Sequence, residues 1–125
     1  MIFFDHWHAE EIGLVEGAID AVKELQSRGI KVYSATNQDK YRFEYLRDIQ
    51  GLGELFDGMY GSCNIGFAKP QTEYFQHILD DLKIMPEEVV YFDNTKRHVD
   101  AAALLGITSY FVEDKDVLIK QIKTL

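Results

Sequence analysis

The stretch Val89-Val90-Tyr91-Phe92-Asp93-Asn94-Thr95 decides how this chain is read. Its apolar residues are β-branched or aromatic, the signature of a buried strand. An acidic residue stands where that strand should end. Asn94 and Thr95 are then placed to cap a helix carrying Val99, Ala102, Ala103 and Leu105, with Gly106 as its stop. In an open parallel sheet, ligands bind outside the carboxyl ends of the strands. Asp93 therefore stands where chemistry is expected, and two other polar clusters, Ser34 to Asn37 and Lys69-Pro70, are candidates to meet it there.

Working outward, the same alternation recurs. Downstream, Ile107 to Val112 reads as a strand, and Asp114 caps a final helix with Val117, Leu118, Ile119 and Ile122. Upstream, Pro86-Glu87-Glu88 makes a turn into the central strand. Proline at 70 disfavours helix at Lys69, so a helix with Tyr74, Phe75, Ile78, Leu79 and Leu82 starts just after it. A loop through Gly61, Gly66 and Ala68 precedes it, and Phe56 to Tyr60 reads as a turn and a short strand. Further back, a helix from about Asp39 to Ile49 points Phe43, Leu46 and Ile49 inward. Ile30 to Tyr33 is a strand with Ser34 to Asn37 at its end. A helix from about Glu16 to Arg28 has Ala18, Ile19, Val22 and Leu25 on one face and ends at Gly29. Met1 to Phe4 is the candidate for a fifth strand. Strands alternating with helices predict a single α/β domain over residues 1–125, three layers deep (α/β/α), with a mostly parallel sheet and right-handed crossovers.

The bulk properties narrow the function classes. A chain of 125 residues, 46% hydrophobic, can bury a core and is not disordered by composition. A net charge of -8 and a pI near 4.9 argue against nucleic acid or an anionic membrane surface as a partner. No apolar run approaches the roughly 20 residues of a membrane span, and the amino terminus lacks the basic flank of a signal peptide. Cys63 is the only cysteine, which fits a reducing cytoplasm.

The chemistry-bearing residues each have an ordinary alternative. Asp93 can hold Mg²⁺, a hard cation that prefers oxygen ligands, or cap a helix. Asp100 is either a supporting partner or simply solvated. Thr36 and Asn37, a hydroxyl and a backbone N–H at a strand end, can grip a phosphoryl oxygen or cap a helix. Lys69 can neutralise phosphoryl charge or stand exposed in a loop. His6 and His8 share one face of a strand at a spacing that suits zinc, but no third ligand is near in sequence, and they read as ordinary residues.

Taken together, the order Thr-Asn after a strand, Lys-Pro before a helix, and Asp-Asn after a strand resembles the haloacid dehalogenase (HAD) superfamily of hydrolases. Val32 to Asn37 matches the second motif with Thr36 at its Ser/Thr position. Phe67 to Pro70 matches the third with Lys69 as its lysine. Val89 to Asn94, leading into Val99 to Ala102 and Leu105 to Ile107, matches the fourth. Glu16-Gly17-Ala18 and Phe56-Asp57-Gly58 are similar to the family's supporting text. The resemblance implies a Rossmann-like (HAD-like) fold and a Mg²⁺-dependent phosphatase of small phosphorylated metabolites. In that mechanism a first-strand aspartate attacks phosphorus and forms an aspartyl-phosphate. Thr36 and Lys69 would stabilise the charge with the ion, Asn37 would contact the phosphate, and Asp93 with Asn94 would hold the metal. A 2-haloacid dehalogenase, acting on carbon without Mg²⁺, and a non-catalytic HAD-fold domain used for binding or assembly are the alternatives. A phosphoacceptor receiver domain is rejected, because its acceptor Asp would precede its Thr and Lys.

The family's first motif, Asp-x-Asp-x-Thr, is where the sequence departs. In Phe3-Phe4-Asp5-His6-Trp7-His8-Ala9, Asp5 is the candidate nucleophile, but Trp7 occupies the acid position and Ala9 replaces the threonine. Asn94 also replaces a frequent second acid. Two readings follow. In the one carried forward, the chain is a carboxyl-terminal piece whose nucleophile lies upstream of Met1, residues 1–13 are the return from a cap domain, and Met1 to Phe4 fills part of the gap in the sheet. In the other, Met1 to Phe4 is the first strand of a capless member. A sheet lacking its central strand would expose unpaired edges and favour pairing of two chains into a homodimer.

Overall fold

The computed structural model describes residues 2–4, 12–49, 51–113, 116–117, 120–121 and 124. Five strands form one sheet in the order β3-β2-β1-β4-β5, with every pairing parallel. The strands are β1 (Ile2–Phe4), β2 (Val32–Thr36), β3 (Gly58–Gly61), β4 (Val90–Asp93) and β5 (Thr108–Phe111). The helices are α1 (Ile12–Ser27), α2 (Lys40–Glu44), α3 (Leu52–Leu55), α4 (Ser62–Ile65), α5 (Thr72–Leu82) and α6 (Lys96–Leu104). The fold is the three-layer α/β architecture that the alternation of patterns predicts.

The short run at the amino end is the middle of the sheet. Ile2 lies beside Val32 on one side and Val90 on the other, and Phe4 beside Ser34 and Phe92. β1 thus fills the centre of the sheet, between β2 and β4. Asp5 to Glu11, on which the cap-return reading falls, lie outside the described residues.

Side chains alternate across each strand, so two cores form, one per face. Ile2, Val32 and Phe92 pack with Ala21, Val22 and Leu25 of α1 and with Leu46, Leu52 and Phe56. Tyr33, Ala35 and Tyr91 pack on the other face with Tyr74, Phe75, Ile78 and Leu79 of α5 and with Ala101 and Ala102 of α6. β4, apolar on both faces, is buried between them, as its sequence requires.

Several expectations are corrected. α1 begins at Ile12 rather than near Glu16. Gly13 and Gly17 disfavour helix, but a helix tolerates isolated glycines at about 1 kcal/mol each when its apolar spacing continues. β2 starts later and runs to Thr36, because Ser34, Ala35 and Thr36 pair with Met59, Tyr60 and Gly61. The helix expected to Ile49 is α2 followed by a π-turn over Tyr45–Ile49. That wider turn takes later residues off the α-helical phase, so Phe43 and Leu46 are buried while Ile49 is 73% exposed. The loop before Lys69 contains α4. In the expected last helix, residues 116–117 and 120–121 are helical, and Asp114, its expected cap, lies outside the described residues.

Gly61 is required by a close approach: a Cβ there would come within 2.6 Å of the Phe43 ring. Asp57 ties the far end of the sheet together. Its Oδ2 accepts from the Val32 N–H at 2.8 Å and from Gln26 Nε2 at 3.2 Å.

Candidate active site

β2 and β4 run parallel on either side of β1, so their carboxyl ends open on the same edge of the sheet. That geometry brings Thr36 and Asp93 to one end, and the segment between α4 and α5 delivers Lys69 to the same place. The Lys69 side chain is fully buried. Its ammonium donates to the Ala35 carbonyl at 2.8 Å, the Tyr91 hydroxyl at 3.1 Å and Asp93 Oδ2 at 3.0 Å. The exposed-loop alternative for Lys69 is thus set aside by its position.

Asp93 is also fully buried. Its Oδ2 accepts from Lys69, from the Tyr91 hydroxyl and from His98 Nδ1 at 2.9 Å. Its Oδ1 accepts the Thr95 backbone N–H at 3.0 Å. Burial alone would raise its pKa, but the His98 bond, the Lys69 charge and the Tyr91 bond outweigh burial and hold it at about 2. Asp93 is therefore a carboxylate across the ordinary pH range. Thr95 is the N-cap residue of α6 and makes no side-chain cap bond, while Oδ1 of Asp93 takes the Thr95 N–H in an Asx-type turn that leads into the helix.

Thr36 is 1% exposed, and its Oγ1 accepts from Gln38 Nε2 at 3.2 Å. Among the described residues no protein acceptor meets its hydroxyl proton. The cap of α2 is Asp39, whose Oδ1 accepts the Arg42 N–H at 2.9 Å, so neither Thr36 nor Asn37 caps that helix.

The Asn37 side chain is turned to the Lys69 backbone. Its Nδ2 donates to the Lys69 carbonyl and its Oδ1 accepts the Lys69 N–H, both at 2.9 Å. The amide is a two-point clamp on the lysine's backbone. Ser62 does the same for the loop after β2: its hydroxyl accepts from the Gln38 N–H at 3.0 Å and donates to the Gln38 carbonyl at 3.2 Å.

Asn94 lies beside Asp93 and is half-buried. Asp100 pairs with Lys96 at 3.2 Å on the exposed side of α6, which is the solvated reading. Asp5 lies outside the described residues.

Sequence reasoning does not single out Tyr91 and His98. Tyr91 stands two residues before Asp93 in a strand, hence on the same face. His98 follows Asp93 by one turn into α6. Both placements are available in the pattern, but Tyr91 reads as core and His98 as the polar face of a helix.

Comparison with known proteins agrees with this fold. The profile of the haloacid dehalogenase-like hydrolases matches residues 2–106. A sesquiterpene phosphatase of Aspergillus oryzae is 30% identical over 93 residues, covering 74% of this chain and 47% of that protein. The chain thus spans about half the length of that curated relative. A protein of Corynebacterium glutamicum superposes with a TM-score of 0.83 at 14% identity, covering 98% of this chain and 91% of the other. An enzyme of the same fold from Bacteroides thetaiotaomicron, in complex with magnesium and inorganic phosphate, gives a TM-score of 0.68 at 22% identity, over 75% and 50% of the two chains. No helix among the described residues is long and apolar enough to cross a membrane. By the match over residues 2–106, the chain belongs to the haloacid dehalogenase-like hydrolases.

Proposed function

We propose that the chain forms the core of a Mg²⁺-dependent phosphatase acting on a small phosphorylated metabolite. One observation carries this reading: a fully buried lysine, ion-paired to a fully buried carboxylate, sits at the strand end that also holds the buried hydroxyl of Thr36. Thr36 would donate to a phosphoryl oxygen, with the backbone N–H of Asn37 beside it. Lys69 would supply positive charge behind them.

The donor set fits magnesium. Asp93 and Asn94 offer hard oxygen atoms. Mg²⁺ keeps several waters and takes one or two carboxylates plus substrate phosphate. It does not need the cluster of three or more His, Cys, Asp or Glu that is absent among the described residues. When bound, the ion would neutralise charge on the transferred group. Asp5, the residue after β1 in sequence, is the proposed nucleophile. Its carboxylate oxygen would bond phosphorus as the ester P–O bond breaks, and water would then release phosphate from the aspartyl-phosphate. The phosphatase relative and the magnesium–phosphate complex of the Bacteroides enzyme support the assignment.

Trp7, standing where the family places its proton donor, favours a second reading: a domain that binds phosphorylated ligands without turning them over. Phosphate release from p-nitrophenyl phosphate, with Mg²⁺ and with a chelator, separates the two. The enzyme reading expects Mg²⁺-dependent turnover that Thr36→Val and Asp93→Ala abolish. Turnover indifferent to chelation and to Asp93→Ala overturns it. Binding of phosphate without turnover establishes the second reading.

A further inference from the structure

The buried polar group around Asp93 is larger than a lysine–carboxylate pair needs. Tyr91 and His98 bring two more hydrogen-bonding groups into the interior, and each is 9% exposed or less. A leucine at either place would fill volume without the cost of burying polar atoms. What the extra groups supply is orientation.

Tyr91 cannot swing. Its ring is fully buried and meets Phe75 edge-on, with centroids 5.1 Å apart, and Phe75 in turn meets Tyr74 edge-on at 5.3 Å. From that fixed ring the hydroxyl donates to Asp93 Oδ2 and accepts from Lys69 Nζ at 3.1 Å. His98 approaches from α6, with Nδ1 2.9 Å from the same Oδ2. A carboxylate oxygen accepts, so His98 meets Oδ2 through the N–H of Nδ1. Lys69, Tyr91 and His98 therefore converge on Oδ2, while Oδ1 takes the Thr95 N–H from the loop at the strand end. The rotation of the carboxylate about its own bond is fixed by donors from β4, α5's entry loop and α6 together.

We propose that Tyr91 and His98 are positioning residues that lock the Asp93 carboxylate in one rotation for a divalent cation, with Tyr91 also fixing the Lys69 ammonium. This rests on the magnesium reading above. Groups that orient a metal-binding carboxylate commonly matter nearly as much as the ligand: losing one costs about tenfold to a hundredfold in metal affinity or activity.

The test is calorimetric titration of Mg²⁺ into the substrate-free protein for the wild type and for Tyr91→Phe, His98→Ala and His98→Asn, with unfolding by urea to show that each is folded. Tyr91→Phe keeps the ring and its packing and removes only the hydroxyl. His98→Asn keeps a side-chain N–H donor. The expected result is Mg²⁺ binding weakened about tenfold to a hundredfold in Tyr91→Phe and His98→Ala, with His98→Asn restored towards the wild type. A parallel fall in kcat, with KM for p-nitrophenyl phosphate changed less, is expected from the same variants. Wild-type Mg²⁺ affinity in Tyr91→Phe and His98→Ala overturns the positioning role while leaving the metal reading intact. Equal impairment of His98→Asn and His98→Ala overturns the donor role of His98. A wild-type protein that takes up no Mg²⁺ overturns the metal reading and this inference with it. If His98→Ala does not fold, Tyr91→Phe decides.

Discussion

Replacing Lys69 with methionine isolates the central energetic feature of the site. Lys69 Nζ and Asp93 Oδ2 lie 3.0 Å apart with neither side chain exposed. At an effective dielectric constant of about 20, their attraction is on the order of 5 kcal/mol. Desolvating both charges offsets much of that, so the intact pair contributes little net stability. Removing one partner is different. The carboxylate stays buried without its counter-charge, held only by the Tyr91, His98 and Thr95 bonds, and such changes cost about 3–5 kcal/mol. Against a total stability of about 5–15 kcal/mol, Lys69→Met should be severe. With a urea m-value of about 2 kcal/mol/M, the midpoint should fall by about 2 M. Asp93→Asn should also destabilise, because it leaves the ammonium buried against neutral acceptors. The double variant is the decisive one. With both charges gone, the amide carbonyl that replaces the carboxylate can still accept from Tyr91 and His98. Its loss should be smaller than the sum of the single losses by about 1–3 kcal/mol. Urea unfolding of the four proteins at neutral pH, with m-values compared, gives the cycle. Additive losses, or a Lys69→Met variant as stable as the wild type, would refute the claim that the pair is dry and mutually dependent.

Stability should also depend on Asp93 through pH. Its folded pKa of about 2 lies below the ordinary value of 3.8, so the contribution is complete above about pH 4 and is lost as pH falls towards 2. The difference amounts to about 2 kcal/mol. It should be missing from the acid slope of Asp93→Asn in paired urea titrations, and identical slopes would contradict the assignment. Gly61→Ala places a Cβ 2.6 Å from the Phe43 ring and should cost about 1–3 kcal/mol by thermal unfolding. Asn37→Ala removes both bonds to the Lys69 backbone. It should lower kcat/KM for p-nitrophenyl phosphate more than it lowers stability, whereas Asn37→Asp, which keeps only the acceptor for the Lys69 N–H, should fall between. Equal activity of Asn37→Ala and the wild type would show that the clamp does not matter to the site.

The sheet and its active edge were legible because they rest on local pattern. A run such as Val89 to Phe92, apolar on both faces, has few places to go except the interior of a parallel sheet. The polar residue that ends such a run is carried to the sheet's edge by the chain direction alone. The pattern alone therefore brings Thr36, Lys69 and Asp93 to one edge. Met1 to Phe4 was harder, because three residues of β1 carry almost no periodicity. Its central place is fixed by pairing with β2 and β4, which a local window does not contain. Ile49 was misplaced for a related reason: a π-turn changes the phase of a helix, and nothing in the apolar spacing announces it.

The division of labour within the site was the least legible, and Asn37 shows why. Beside Thr36, its type and position suit a phosphate ligand and a backbone clamp equally well. The side chain's partner is the Lys69 peptide, more than 30 residues further along the chain, which arrives with its N–H and C=O spaced to meet both ends of one amide. Tyr91 and His98 follow the same logic. Each looks like filler or surface until Asp93, Lys69 and the ring of Phe75 are all in place, and only then does its polar atom have a partner. A sequence can reveal which residues bear charge at a strand end. Which neighbours hold that charge still depends on contacts that exist only once the layers have closed, so the groups that orient a buried carboxylate are the last part of such a site that pattern alone can reach.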